Sequence, residues 1–352
     1  MYKEMSALEA KYEAQKLAFG PFYFQAVVAM RDLGILDEIR KSKTGISQLD
    51  LSQKLGLTEY GLSVLLEAGI AANVVHQVED GRFKLTKVGV FLKSDELTNV
   101  NINFTKDVCY DGLKYLKESV VESRPAGLDV FGKHKTVYHA LASLSEDVRK
   151  SWFDFDHYYS SDSSPYALDI VFSRKINHLM DIGGNTGKWT IQCCDHDADV
   201  HVSIVDLPGQ IESAQKNLSS YDFLDRVSYH PCDILLDQAR LPKGADVIWM
   251  SQFLDCFSSV QILAILDKVH QTASSDTDIY IMESFWDNQK YEAGSYSIIA
   301  LSLYFTCIAN GNSKMFKLDD LLPLIDTAGF EITEKHELIG NTFNTLLKLK
   351  KR

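Results

Sequence analysis

From Ile176 onward the chain is a succession of short apolar runs, at residues 179–182, 200–205, 227–229, 247–250 and 279–282, separated by stretches long enough for a helix. Runs that are apolar on both faces of a strand belong to a sheet covered on both sides. Helix-length connectors let such strands run parallel. This alternation restricts the C-terminal half to a doubly wound α/β architecture. Its end differs: residues 330–334 and 342–349 flank Gly340-Asn341, which predicts an antiparallel terminal hairpin.

The N-terminal part has another texture. Between residues 21 and 40 the apolar positions Phe22, Phe24, Val27, Val28, Leu33, Leu36 and Ile39 are dense enough for one helix buried on more than one side, as a dimer interface would require. Residues 47–55 read as a short helix, Gly56-Leu57-Thr58 as a tight turn and residues 58–68 as a second helix with Thr58 as N-cap. Two short runs about Glu79-Asp80-Gly81 then form a hairpin, so this segment resembles a winged helix. Reading DNA would need Arg, Lys, Asn or Gln on the second helix. That helix carries Glu59 and Glu67 and no base. The whole chain, with Lys+Arg 36 against Asp+Glu 48, has a net charge of -12 that repels phosphate backbones and anionic lipid. We expect no nucleic-acid and no membrane partner, and three regions: 1–100 for dimerisation, a helical 101–170 that helps form a substrate pocket, and 171–352 for the α/β domain.

Six cysteines without a C-x-x-C pair read as buried thiols of a reducing, cytoplasmic compartment rather than as disulfides or a metal site. The first residues are polar, with no apolar core of a signal peptide. Residues 293–313 lack any charge, but Ser295, Ser302, Asn310 and Asn312 are too polar for lipid, which predicts a buried helix.

In an open parallel sheet, ligands lie over the carboxyl ends of the strands. The first loop there is Asp181-Ile182-Gly183-Gly184-Asn185-Thr186-Gly187. Glycines let backbone pass close to a ligand, and Asn tolerates positive φ better than most residues. The spacing is wrong for the G-x-G-x-x-G of a dinucleotide site. Two more acids follow at expected strand ends: Asp206 in Val205-Asp206-Leu207-Pro208 and Asp233 in Pro231-Cys232-Asp233-Ile234.

The Asp-Ile-Gly-Gly-Asn-Thr-Gly loop, the two acidic strand ends, the winged-helix N-terminus and a late Ala328-Gly329-Phe330 together resemble the S-adenosylmethionine (SAM)-dependent small-molecule O-methyltransferases of the plant caffeate and bacterial polyketide type. The resemblance covers essentially the whole chain. It implies a Rossmann-like class I methyltransferase domain behind an N-terminal dimerisation domain, a homodimer, and methyl transfer to a small-molecule acceptor. It also implies a cofactor site of Asp181, Gly183, Gly184, Asn185, Asp206, Leu207, Asp233, Ile234 and Ser251, with Asp181 on the methionine amine, Asp206 on the ribose hydroxyls and Asp233 on the adenine amino group.

The chain departs from that family where the acceptor would be deprotonated. Family members carry a His about ten residues before an Ile-Leu pair. Counting back from Ile265-Leu266, the position holds Asp255. The acid that braces the His corresponds to Met315, beside a retained Lys314, and the lysine four before the His corresponds to Ser251. Three readings stay open: Asp255 as base, tuned by Lys314; His157, in the aromatic-acidic cluster of residues 152–159, as base; or an acceptor acidic enough to need none. Asp255 could instead cap a helix beginning near Ser258. SAM-assisted hydroxylation or decarboxylation is the alternative chemistry, and a SAM-sensing winged-helix regulator a weaker one.

Overall fold

The computed structural model describes residues 4–352, which form two compact units divided between Thr105 and Lys106.

The first unit is mostly helical. Helix α1 (Ala7–Ala18) starts on a capping box between Ser6 and Glu9. The single helix expected over 21–40 is two, α2 (Gly20–Asp32) and α3 (Ile35–Lys41), because Gly34 adopts a left-handed φ of 77° and breaks the run. Phe22 is accordingly exposed, while Met30, Ile35, Leu36 and Ile39 are buried. The winged-helix grammar follows: α4 (Gln48–Leu55), capped by Ser47 and ended by left-handed Gly56, then α5 (Glu59–Ala71) with Thr58 accepting from the Gly61 N–H. Strands β1 (Val75–Gln77) and β2 (Phe83–Leu85) pair antiparallel. Helices α6 (Lys87–Ser94) and α7 (Glu96–Phe104) close the unit.

In the second unit, α8 (Leu116–Glu122), α9 (Val137–Ala140), α10 (Glu146–Ser161) and α11 (Ser164–Val171) precede the sheet. The sheet is built from β3 (His178–Ile182), β4 (His201–Asp206), β5 (Val227–Pro231), β6 (Val247–Ser251), β7 (Asp278–Glu283), β8 (Phe330–Ile339) and β9 (Asn344–Lys351) in the order β5-β4-β3-β6-β7-β9-β8. The first five strands are parallel; β9 runs antiparallel to β7, and β8 to β9. Residues 179–182 and 247–250 are buried on both faces, as expected of strands covered on both sides, and the first of these runs buries Asp181 with its apolar neighbours. Helices α12 (Lys188–His196) and α13 (Pro208–Leu218) follow β3 and β4, while α14 (Ser259–Thr272), α15 (Glu292–Tyr304) and α16 (Leu318–Thr327) follow β6 and β7. One core packs around Ile248, Ile265 and Phe330, the other around Leu179, Val202 and Trp249.

The charge-free stretch 293–313 is only half of what its composition predicted. It forms α15 and a π-helical turn, Phe305–Ala309; the turn is buried, whereas α15 buries Ile298 and Tyr304 and leaves Tyr296 and Leu303 exposed. Residues 292–309 are long and apolar enough to cross a membrane.

Candidate functional site

The sheet reverses strand order between β3 and β6, so a crevice opens beyond the carboxyl ends of these two strands. The glycine loop leaves β3 into it. Gly184 has to lack a side chain: a Cβ there would meet Asp181 Oδ2 at 2.7 Å and Ile204 Cγ2 at 2.8 Å. Asn185 adopts a φ of 49° and is held on three sides. Its N–H donates to Asp206 Oδ2 at 2.8 Å, its Nδ2 to Asp156 Oδ2 at 2.9 Å, and its Oδ1 accepts from Gln210 Nε2 at 2.8 Å.

Asp181, Gly183, Gly184, Asn185, Asp206, Leu207, Asp233, Ile234 and Ser251 all line one cavity of about 300 Å³, and His157 lines it with them. Asp181 is 2% exposed, and its Oδ2 has no hydrogen-bond partner among the described residues. Burial, with the nearby charge of Asp206, pushes its carboxyl up to about 8. Asp206 ends β4 and accepts from the Leu207 N–H at 2.7 Å as well as from Asn185. Each of its oxygens keeps a lone pair for a further donor. Burial pushes it up to about 6 against those two bonds. Asp233 lies two residues past the end of β5 rather than on it, because the chain turns there with its carboxylate accepting from the Leu235 N–H.

The structure separates the two catalytic candidates. His157 sits 3.3 Å from the Thr186 hydroxyl of the glycine loop, and burial, with Lys188 nearby, pushes it down to about 4. Asp255 instead lines a smaller cavity of about 60 Å³ that shares Tyr138, Trp152, Asp156, Gln252 and Cys256 with the larger one. Met315 lines the small cavity too, so two of the three positions that depart from the family pattern, Asp255 and Met315, border the same space, while Ser251 lines the larger cavity. Lys314 does not join them; its exposed ammonium lies 3.9 Å from Asp320. Nor does Asp255 cap α14. Ser258 and Gln261 form the capping box there, and Asp255 lies 8% exposed within a preceding 3-10 turn.

Several site residues carried no readable signal of their own. Asp156 borders both cavities, and burial, reinforced by Asp255, pushes it up to about 7. Only its place in the aromatic-acidic cluster pointed to it. Glu283, at the end of β7, accepts from the Phe253 and Leu254 N–H groups at 3.0 and 2.8 Å and so shapes the turn that holds Asp255. Burial raises both carboxyls, and Asp255 raises Glu283 further. Trp189 Nε1 and Gln192 Oε1, both on α12, whose side chains border the large cavity, are buried without hydrogen-bond partners among the described residues.

Residues 113–331 match the model of an O-methyltransferase domain, and residues 11–83 that of a Dimerisation2-like domain. The chain is 22% identical over 279 residues to the 3-hydroxy-5-methyl-1-naphthoate 3-O-methyltransferase of Streptomyces sahachiroi, covering 78% of this chain and 77% of that one. It is 23% identical over 295 residues to the 8-amino-8-demethylriboflavin N,N-dimethyltransferase of Streptomyces davaonensis, covering 82% and 81%. Among solved structures, the S-adenosylmethionine-dependent methyltransferase SibL in its apo form shares the fold with a TM-score of 0.73 at 21% identity, over 99% of both chains.

Proposed function

This chain belongs to the O-methyltransferase family, a family of SAM-dependent enzymes, and from that premise we propose that it methylates a small acceptor without the family's histidine base. The observation that carries the cofactor assignment is the convergence of nine residues, expected from separate parts of the sequence, on one cavity at the sheet's switch point. The donors and acceptors there fit SAM. The unpartnered oxygen of Asp181 and the unpartnered Gln192 Oε1 suit an ammonium, while Trp189 Nε1 and the Lys188 side chain suit a carboxylate, as an amino-acid end demands. Asp206 has the free lone pairs for ribose hydroxyls, and Asp233 would accept from the adenine amino group. When bound, SAM supplies a methyl group activated by its sulfonium.

The chain's own part is positioning and proton removal. In-line displacement gains much of its rate from holding the reactants together. Tyr138, Trp152 and Phe155, which border the smaller cavity, offer flat faces for a ring-bearing acceptor. A base works best with a pKa near the operating pH. His157, held near 4, is poorly matched to that task, whereas burial raises Asp255 toward it. We therefore assign proton removal to Asp255. The acceptor's nucleophile is taken as oxygen on the family's precedent, although the Streptomyces davaonensis relative is named for transfer to nitrogen.

The exposed apolar residues Leu8, Leu17, Phe19 and Phe22 of the first unit, together with the match to a dimerisation domain, support a homodimer. Six free thiols support a reducing, cytoplasmic location. The decisive experiment incubates the enzyme with SAM and panels of phenols, thiols and amines and follows S-adenosylhomocysteine. Formation with a phenol, lowered about 10²–10⁴-fold in Asp255→Asn with SAM affinity kept, is the expected result. Full activity of that variant would remove Asp255 as base, and absence of SAM binding by calorimetry would overturn the reading altogether.

A further inference from the structure

Asp255 is the base of this reading, yet it does not border the cofactor cavity; Tyr138 and Cys256 border both cavities and stand next to it. Their contacts form a line. The Tyr138 hydroxyl donates to Cys256 Sγ at 2.9 Å, and the Cys256 thiol donates to Asp255 Oδ1 at 3.3 Å. The other acceptor within reach of the thiol, the Gln252 carbonyl, lies at 4.0 Å and is uncharged. A thiol has one proton to donate, and a carboxylate at the shorter distance takes it.

We propose that Tyr138, Cys256 and Asp255 form a proton relay, with Tyr138 as the catalytic residue that touches the acceptor hydroxyl and Cys256 and Asp255 as positioning residues that carry the proton away. The proposal rests on the methyltransferase reading. The acceptor O–H bond breaks, its electron pair stays on the acceptor oxygen, and its proton joins Tyr138 Oη. The phenolic proton passes to Cys256 Sγ, and the thiol proton passes to the Asp255 carboxylate. Three bonds to hydrogen break and three form, Tyr138 and Cys256 end as they began, and one proton resides on Asp255. It leaves along the same line once the product has gone.

The surroundings suit this direction of flow. Burial pushes the Tyr138 hydroxyl and the Cys256 thiol well above their usual ranges, so each holds its proton and yields it only as another arrives. The groups that face Asp255 are Glu283 from β7, Asp156 from α10 and Tyr138 from α9, with Cys256 beside it in the chain; none is a cation, so the carboxylate stays basic. Glu283 Oε1 is taken by two backbone N–H groups and its Oε2 makes no hydrogen bond among the described residues, so the line ends on Asp255, the carboxylate that accepts from the thiol.

Infrared spectroscopy of the free enzyme tests the relay without any acceptor. The difference between wild type and Cys256→Ser isolates the S–H stretch of Cys256 from those of the other cysteines. A thiol donating to a carboxylate absorbs at lowered frequency; the band should rise in Asp255→Asn and also when the pH is lowered until Asp255 is protonated. A band that Asp255→Asn leaves unmoved means that the thiol points to Gln252, and the relay fails. Turnover with catechol and protocatechuate as probe acceptors is the second arm. Cys256→Ala should lower kcat about 10- to 100-fold at little change in KM, and Cys256→Ser, whose hydroxyl can pass a proton, should recover about tenfold of that loss. Tyr138→Phe should behave like Cys256→Ala. A serine variant no better than alanine would overturn the proposal, because mere packing does not distinguish a hydroxyl from a methyl in that way. If neither probe is methylated, that outcome counts against the methyltransferase reading, and the S–H band alone decides the relay.

Discussion

At the scale of single residues the site is a set of carboxylates kept out of water with few cations, and most of its expected behaviour follows from that. The Asp181 carboxyl, held near 8 against an ordinary carboxylate value of about 4, binds a proton in the fold that the unfolded chain has already lost. The free enzyme should therefore lose stability as pH rises between those two values and level off above 8. An ammonium placed beside Asp181 favours the carboxylate, so SAM binding at pH 7 should release about one proton. Calorimetry in buffers of differing ionisation enthalpy measures this; Asp181→Asn should abolish it, and equal release in that variant would refute the amine assignment. Asp206 offers a second check. Its oxygens orient the glycine loop and retain free lone pairs, so Asp206→Ala should weaken SAM binding by about 1.5–3 kcal/mol, the range for hydrogen bonds to a charged group. Unchanged affinity by titration calorimetry would sink the ribose role.

At the scale of elements, local chemistry explains where helices begin and why one acid is free for other work. Because Ser258 and Gln261 satisfy the first N–H groups of α14, Asp255 is not spent on capping. Ser258→Ala should cost about 1 kcal/mol in denaturant unfolding while leaving SAM affinity unaltered. A loss of SAM affinity in this variant would mean that the cap and the site are one unit. The break at Gly34 has the same kind of origin. Apolar spacing over 21–40 favoured one helix, but a left-handed glycine ends it between α2 and α3 and turns Ile35, Leu36 and Ile39 into the core. Hydrophobic periodicity alone does not register a change of helix axis, since both pieces obey the same period. The segment 293–313 misled for a related reason: lack of charge marks a helix that is not wetted all round, yet α15 leaves Tyr296 and Leu303 uncovered.

At the scale of the molecule, exposed apolar side chains on α1 and α2 are what a monomer would hide. Light scattering should give a dimer mass rather than 39.7 kDa, and Phe22→Asp should shift it toward monomer; a monomeric wild type would refute the dimer. The sequence by itself determined the doubly wound sheet, its antiparallel end and the glycine loop. Double-sided apolar strands, the spacing of Gly183, Gly184 and Gly187, and acids at strand ends are local constraints that hold wherever the rest of the chain goes. Which acid borders which cavity was decided only by the tertiary structure. Asp156 reaches Asn185 across 29 residues, and Tyr138 reaches Cys256 across 118. Met315 borders the same small cavity as Asp255 while Lys314, its neighbour in sequence, turns out to solvent. Such pairings, and the burial that raises these carboxyls, arise from the packing of α9, α10 and α15 over the strand ends, and no periodicity in the chain encodes distances between residues so far apart.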